Sequence, residues 1–468
     1  MPRVHTFGDD ALGDHDAVGL VAALRNGEVS SAELVEAAIA RTEFVDPSVN
    51  GLAYNAFREA RAQAHGAARG GFFAGIPTFI KDNIDVVGQP TMRGTDAWAP
   101  RNATTSSEFT RLYLTTGLIS LGKTQMSEFG FSASSEHPRL GPVRNPWDTD
   151  YTAGASSAGS AAFVASGVVP IAHANDGGGS IRIPASCNGL VGLKPSRGRL
   201  PLDAEHRRMP VGIIANGVLT RSVRDTAAFY REAERLWRNP KQPSIGDVTG
   251  PGAARLKIAA VTRSVRRDCG PEVREATLRT AALLEELGHR VEHVDRPPVL
   301  DSFPDDFVLY WGFLALAQVR SGRLTFGSTF DPAKLDSLTL GLVRHATRNL
   351  HRVPRAIIRL RAARRRTASF FATYDALLTP TVADAPPRIG YLAPVDYQQV
   401  VDRLTDWCAY TPLQNVTGEP AISLPLGLSE GGLPIGVMLS ADIGAESRLL
   451  ELAYELEAAQ PWRRIDRV

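Results

Sequence analysis

Apolar positions Val18, Leu20, Val21 and Leu24 recur at helical spacing, and Gly27 follows where a left-handed cap would end that helix. Ser30 with Glu33 three residues on has the form of a capping box, so a second helix is predicted directly after the first. Beyond a Gly/Ala-rich stretch around residues 64–75 the pattern changes: Gly75-Ile76-Pro77-Thr78-Phe79-Ile80 predicts a short buried strand that delivers Lys81 and Asp82. From Leu118 to Lys194, short β-like runs alternate with Gly/Ser turns and small-residue helical runs such as 160–166, which is α/β layering. Val168 to Ala174 reads as a strand, with Pro170 placing it at a sheet edge or strand start.

Farther on, Leu256–Thr262 predicts a strand, Pro271–Leu287 a helix stopped by Gly288, and Arg290–Val294 another strand, together a β-α-β unit. The Pro/Gly-rich segment 240–252 is the best linker candidate, and later strands such as Pro420–Leu424 are expected to return to the first sheet. There is no internal repeat. With 468 residues and 43% hydrophobic side chains the chain can bury a large core, and a single extended α/β domain is open to it.

Charge removes several classes of partner. The 52 Lys and Arg against 50 Asp and Glu leave a net charge of +2, which creates no global field for nucleic acid or an anionic membrane; a small or neutral ligand fits better. The arginines between Arg344 and Arg366 interleave with Ile357, Ile358 and Leu360, as on a helix with one solvated face. Met1–Asp10 lacks a signal-peptide core, and no apolar run reaches the roughly 20 residues of a membrane span, so a cytoplasmic protein is expected. Cys187, Cys269 and Cys408 are too scattered for a disulfide framework and are expected to be reduced.

The candidate chemistry lies in two small-residue runs, Gly154-Ala155-Ser156-Ser157-Ala158-Gly159-Ser160 and Asn175-Asp176-Gly177-Gly178-Gly179-Ser180-Ile181-Arg182-Ile183-Pro184. Acyl transfer needs a hydroxyl nucleophile, a base within reach, and backbone N–H groups aimed at a developing oxyanion. Consecutive glycines let successive N–H groups converge as an anion nest, and Ser180 ends that nest. For the base, His173 and His137 are nearest in sequence; Lys81 is the alternative, able to act only if burial lowers its proton affinity. Cys187 has no base among its neighbours and reads as a buried filler.

Two other motif matches fail on context. Gly117–Thr124 satisfies the P-loop pattern, but Leu118-Ile119-Ser120-Leu121 is itself strand-like, where a phosphate loop should be a turn. His289-Arg290-Val291-Glu292-His293 satisfies a zinc-peptidase pattern that needs a helix, yet Gly288 ends the helix first. On a strand its two histidines would lie roughly 13 Å apart.

Lys81-Asp82-Asn83, the run holding Ser156, and Asp176 through Pro184 together resemble the amidase-signature hydrolases, and the match continues through Gly189-Leu190-Val191-Gly192-Leu193-Lys194-Pro195-Ser196. Weaker resemblance covers most of the rest. The Asn175–Gly179 variant, with Arg144-Asn145-Pro146-Trp147 upstream, is similar to the branch that contains 6-aminohexanoate cyclic-dimer hydrolase.

The resemblance implies one large domain, α/β, a mixed central sheet flanked by helices on both faces. It divides the chain into N-terminal helices at about 14–65, a catalytic core at about 70–235, a helical and β-α-β insertion at about 253–380, and a C-terminal return to the sheet at about 381–468. It further implies a Ser-Ser-Lys triad of Lys81, Ser156 and Ser180, an oxyanion hole from Gly177, Gly178, Gly179 and Ser180, and support from Ser157, Asp176 and Arg182. A cis peptide bond before Ser156 and an acyl pocket touching Phe129 and Phe131 are also expected. The substrate would be a linear or cyclic amide, without metal or organic cofactor, and a homodimer is compatible with this reading.

Ala155, Ala158 and Gly177 depart from the family's usual residues and bear on substrate range. Two competing readings keep the same fold: a glutaminase subunit of an amidotransferase, against which Ile183 stands in place of glutamine, and an inactive binding protein.

Overall fold

The computed structural model describes residues 3–66, 70–393 and 395–467. The first helix, Ala17–Asn26, ends at Gly27 with φ 72°, and the next, Ser31–Val49, begins with the Ser30–Glu33 capping box fully formed. A strand β1 (Leu52–Asn55) follows, then β2 (Pro77–Lys81), whose five residues are all buried and whose last residue is Lys81. β3 (Ile119–Thr124) completes a three-stranded sheet in the order β1-β3-β2, with β2 and β3 parallel.

The main sheet has eight strands: β4 (Ile171–Asp176), β5 (Val191–Lys194), β6 (Ala215–Thr220), β7 (Lys257–Ala260), β8 (Arg290–His293), β9 (Ala376–Pro380), β10 (Ala421–Leu428) and β11 (Pro434–Ser440). Their spatial order is β8-β7-β9-β11-β10-β5-β6-β4. The pairings around β7 are parallel and those from β9 to β4 antiparallel, so the sheet is mixed. Helices flank it. Strand β4 starts just after Pro170, whose missing N–H stays outside the ladder, and it ends the order. Between β7 and β8, the helix Pro271–Glu286 closes the β-α-β unit, and Gly288 carries φ 92° just beyond it.

The two sheets meet along β2 and β4 through side chains. Thr78 Oγ1 donates to the Ile171 carbonyl at 2.8 Å and lies 2.6 Å from the Tyr113 hydroxyl. The Lys81 backbone N–H donates to His173 Nδ1 at 3.2 Å. That seam fixes where Lys81 sits relative to the glycine run after β4.

The two rejected motifs occupy settings that explain the rejection. Gly117–Thr124 runs into fully buried β3, and the Lys123 ammonium is 3.1 Å from Asp82 and 2.7 Å from Thr91 Oγ1. His289 precedes β8 and lies 2.9 Å from Glu455, while His293 ends the strand; among the described residues no cluster of His, Cys, Asp and Glu is placed to hold a metal ion. The arginine-rich stretch forms the helix Val353–Phe371, which buries Val353, Ala356, Leu360 and Ala363 and leaves its other face to solvent. Among the described residues no helix is long and apolar enough to cross a membrane.

Thr78→Val would strip the seam of its hydroxyl and leave the buried Ile171 carbonyl and Tyr113 hydroxyl each short of a partner. Unfolding stability should fall by about 1–3 kcal/mol, seen as a lower urea midpoint at unchanged slope.

Candidate active site

Strand β2 carries Lys81 into an interior where its side chain has no solvent exposure. Lys81 Nζ lies 2.6 Å from Ser156 Oγ, 2.7 Å from Asn175 Oδ1 and 3.5 Å from the Asn175 carbonyl oxygen. Burial lowers the lysine's pKa to about 7, against a weaker upward pull from the Asp176 carboxylate. An amide oxygen can only accept, so Asn175 Oδ1 takes one N–H of the neutral amine. The lone pair is then free for the Ser156 hydroxyl. The Ala155–Ser156 peptide bond is cis, and Gly130 packs so closely that a Cβ there would come within 3.2 Å of Ser156 Oγ.

Ser180 follows the glycine run at the end of β4 and lines a cavity with Gly178, Ala155 and Phe131. Ser157 Oγ donates to the Ser180 carbonyl at 2.6 Å and sits 3.3 Å from that of Asn175, pinning the two small-residue runs together. Among the described residues no hydrogen bond joins Ser156 Oγ to Ser180 Oγ in this arrangement.

The shape of the glycine run is set by Asp176. Its carboxylate accepts the N–H groups of Gly179 at 2.7 Å and Ile181 at 3.1 Å, and pairs with the Arg182 guanidinium at 3.0 Å. Burial pushes this carboxyl up, but Arg182 more than offsets it and holds the group well below the usual carboxylate range. Arg182 is itself fully buried and donates on to Gln414 and Asn415, while Asn415 Nδ2 returns a hydrogen bond to Asp176 at 2.8 Å. Thr411 Oγ1 donates to the Gly178 carbonyl at 2.7 Å. The Gly179 N–H is therefore committed to Asp176. The amides of Gly177, Gly178 and Ser180 have no acceptor among the described residues.

The other sequence candidates separate cleanly. His173 is buried in β4 against the Phe109 ring, and burial, reinforced by the nearby Lys81 amine, lowers its pKa to about 3. His137 accepts backbone N–H groups from Arg139 and Leu140 and lies 3.5 Å from Glu128. Cys187 is buried beneath Gly154, and burial raises its thiol pKa. Phe131 lines the cavity, but Phe129, in a left-handed turn with φ 50°, stacks on Trp98 and Phe326 behind it. Asn175, which lies in the second small-residue run, and Asn415, Thr411 and Gly130 join the site without a role in it having been read from the sequence.

Replacing Asp176 by asparagine would leave the Arg182 charge buried without its counter-charge. A loss of about 3–5 kcal/mol of unfolding stability is expected, measured by chemical denaturation; a loss below about 1 kcal/mol would contradict the clamp.

Comparison with known proteins gives the family. The Amidase family model matches residues 33–450. A Mycobacterium leprae protein named "Putative amidase AmiC" is 74% identical over 99% of both chains. The 6-aminohexanoate-cyclic-dimer hydrolase of Paenarthrobacter ureafaciens is 32% identical, over 96% of this chain and 95% of its own. Among solved structures, a 6-aminohexanoate cyclic dimer hydrolase superposes with a TM-score of 0.87 at 29% identity, over 98% of this chain and 99% of that one. A bacterial aryl acylamidase of the same family superposes with a TM-score of 0.84 at 27% identity, over 96% and 97%. With the family model spanning most of the chain and the fold shared end to end, this protein belongs to the amidase-signature family of amide-hydrolysing enzymes.

Proposed function

We propose that the protein hydrolyses linear or cyclic carboxylic amides through an acyl-serine intermediate, with Lys81, Ser156 and Ser180 as a proton-relaying triad. The observation that carries this reading is the fully buried Lys81 amine, 2.6 Å from Ser156 Oγ and with its pKa lowered to about 7. A lysine at its ordinary value near 10.4 would be a poor base at neutral pH. This one is substantially unprotonated there.

In the proposed cycle Ser180 Oγ attacks the amide carbon, its proton passes to Ser156, and the Ser156 proton passes to Lys81. Substrate binding brings the two hydroxyls into contact, since catalytic hydrogen bonds commonly tighten only in the loaded enzyme. The carbonyl oxygen becomes an oxyanion facing the N–H groups of Gly177, Gly178 and Ser180, donors that need no rearrangement during the reaction. As the C–N bond breaks, Ser156 gives a proton to the nitrogen and recovers one from Lys81, so the amine leaves neutral. Water then attacks the ester by the same relay and releases a carboxylate and Ser180.

Ile183 and the apolar cavity beside Ser180 weigh against glutamine as the natural amide, and hence against an amidotransferase subunit. The complete Lys81–Ser156–Asn175 contact weighs against an inactive scaffold.

A fluorophosphonate probe followed by intact-mass analysis should label the wild type and fail to label Ser180→Ala; a labelled, active Ser180→Ala would overturn the assignment. Because only neutral Lys81 accepts the proton, kcat/KM should be flat above pH 7 and drop tenfold per pH unit below it, as the amine charges. Asn175→Asp sets a carboxylate against that amine and favours its charged form. The acid limb of the pH–rate profile should then move to higher pH, and an unmoved limb would show that another group titrates.

A further inference from the structure

Ser180 opens into a cleft, and one of its walls comes from a helix far away in sequence, Phe303–Arg320. Phe303, Phe307 and Trp311 recur every fourth residue and form a stacked row, with ring centroids 6.2 and 5.2 Å apart and planes tilted by 16° and 26°. The row ends on the glycine nest. A Cβ added at Gly178 would stand 3.4 Å from Phe307 Cζ, and one at Gly177 would stand 3.3 Å from Trp311 Cη2. Trp311 is locked in that position because its Nε1–H donates to the Phe131 carbonyl at 3.1 Å, with the Phe131 ring edge-on at 5.5 Å.

Branched aliphatic side chains complete the lining, among them Leu338, Leu342, Val401 and Leu404. Arg266 is the one charged side chain on the wall among the described residues, and its Nε is 2.7 Å from Asp406, which neutralises it. A substituent entering beside the nest therefore meets rings and methyl groups. An ammonium there would lose hydration and meet no carboxylate on the wall, and a carboxylate would meet only an arginine already engaged by Asp406.

We propose, building on the amidase reading above, that this enzyme selects uncharged amides bearing a large apolar group, recognised by the Phe303–Phe307–Trp311 row and its aliphatic surround. Small amides and amides with a charged tail are then poor substrates. An apolar carbon moved from water into this lining contributes about 0.8 kcal/mol per methylene. That corresponds to about a fourfold gain in kcat/KM for each methylene until the cavity is filled.

The test is kcat/KM for straight-chain amides from acetamide to octanamide, with 6-amino and 6-carboxy derivatives of hexanamide, on wild type, Trp311→Ala and Phe307→Ala. Expected is a steep rise with chain length, a drop of at least about a hundredfold for the charged derivatives, and a flattened slope in both variants. The Phe307 variant leaves the Trp311–Phe131 hydrogen bond in place should the Trp311 variant fold poorly. A slope that is flat in the wild type, or unchanged in both variants, or charged derivatives cleaved equally well, would overturn the selection while leaving the amidase reading intact. Calorimetric titration of Ser180→Ala with the same amides separates the two claims. If the wild type cleaves no amide yet affinity still climbs with chain length, the catalytic reading fails and the selection stands; if neither climbs, both fail.

Discussion

A fully buried amine, Lys81, is the constraint on which the chemistry proposed for this molecule depends. Strand β2 delivers Lys81 to a sheet junction where the side chain is fully enclosed, and the cost of burying an ammonium outweighs the attraction of the Asp176 carboxylate. Asp176 does not restore the charge, because its upward pull on the lysine is the smaller of the two effects. The amine is held between one obligate acceptor, Asn175 Oδ1, and one hydroxyl, Ser156. In the relay proposed above, its role is exchange of a proton with that hydroxyl.

The rest of the site keeps this arrangement rigid. Asp176 clamps the glycine run through two backbone N–H groups, Ser157 ties the run back to the segment carrying Ser156, and Thr411 and Asn415 brace it from the C-terminal part of the chain. By taking the Gly179 N–H, Asp176 leaves Gly177, Gly178 and Ser180 as the donors that the proposed mechanism offers a substrate oxygen. Stability and positioning are thus served by the same buried carboxylate. The aromatic row on the helix Phe303–Arg320 abuts the opposite end of that run, so whatever fills the cavity is seated against the donors.

Much of this could be read in the chain itself. Lys81, after the apolar run Ile76–Ile80, and Ser180, closing three glycines, are candidates from their settings, and the resemblance to the amidase-signature hydrolases is what joins them with Ser156. The helix caps at Gly27 and Ser30 and the β-α-β unit around Pro271–Glu286 rest on local rules and appear as read. What escaped was everything set by distant contact. Asn175 matters for a side chain reaching across to β2, and Asn415 for a partner 239 residues away. Phe303, Phe307 and Trp311 have the spacing of any core-facing helix stripe, and only the packed structure distinguishes a cavity wall from a core. Of the two phenylalanines expected at the acyl pocket, Phe131 lines the cleft, while the left-handed turn at Phe129 stacks its ring on Trp98 and Phe326.

The state of the Lys81 amine can be observed without any substrate. In protein carrying lysine labelled with carbon-13 at Cε, the signal that disappears in Lys81→Met should titrate with a midpoint near 7, far below the ordinary lysine value near 10.4. The comparison variant is needed because Lys194, also fully buried, has its pKa lowered to about 7 by burial and by the Arg182 charge. A Lys81 signal that stays protonated up to pH 10 would mean that the buried amine is a fixed cation, and the relay through Ser156 could not operate.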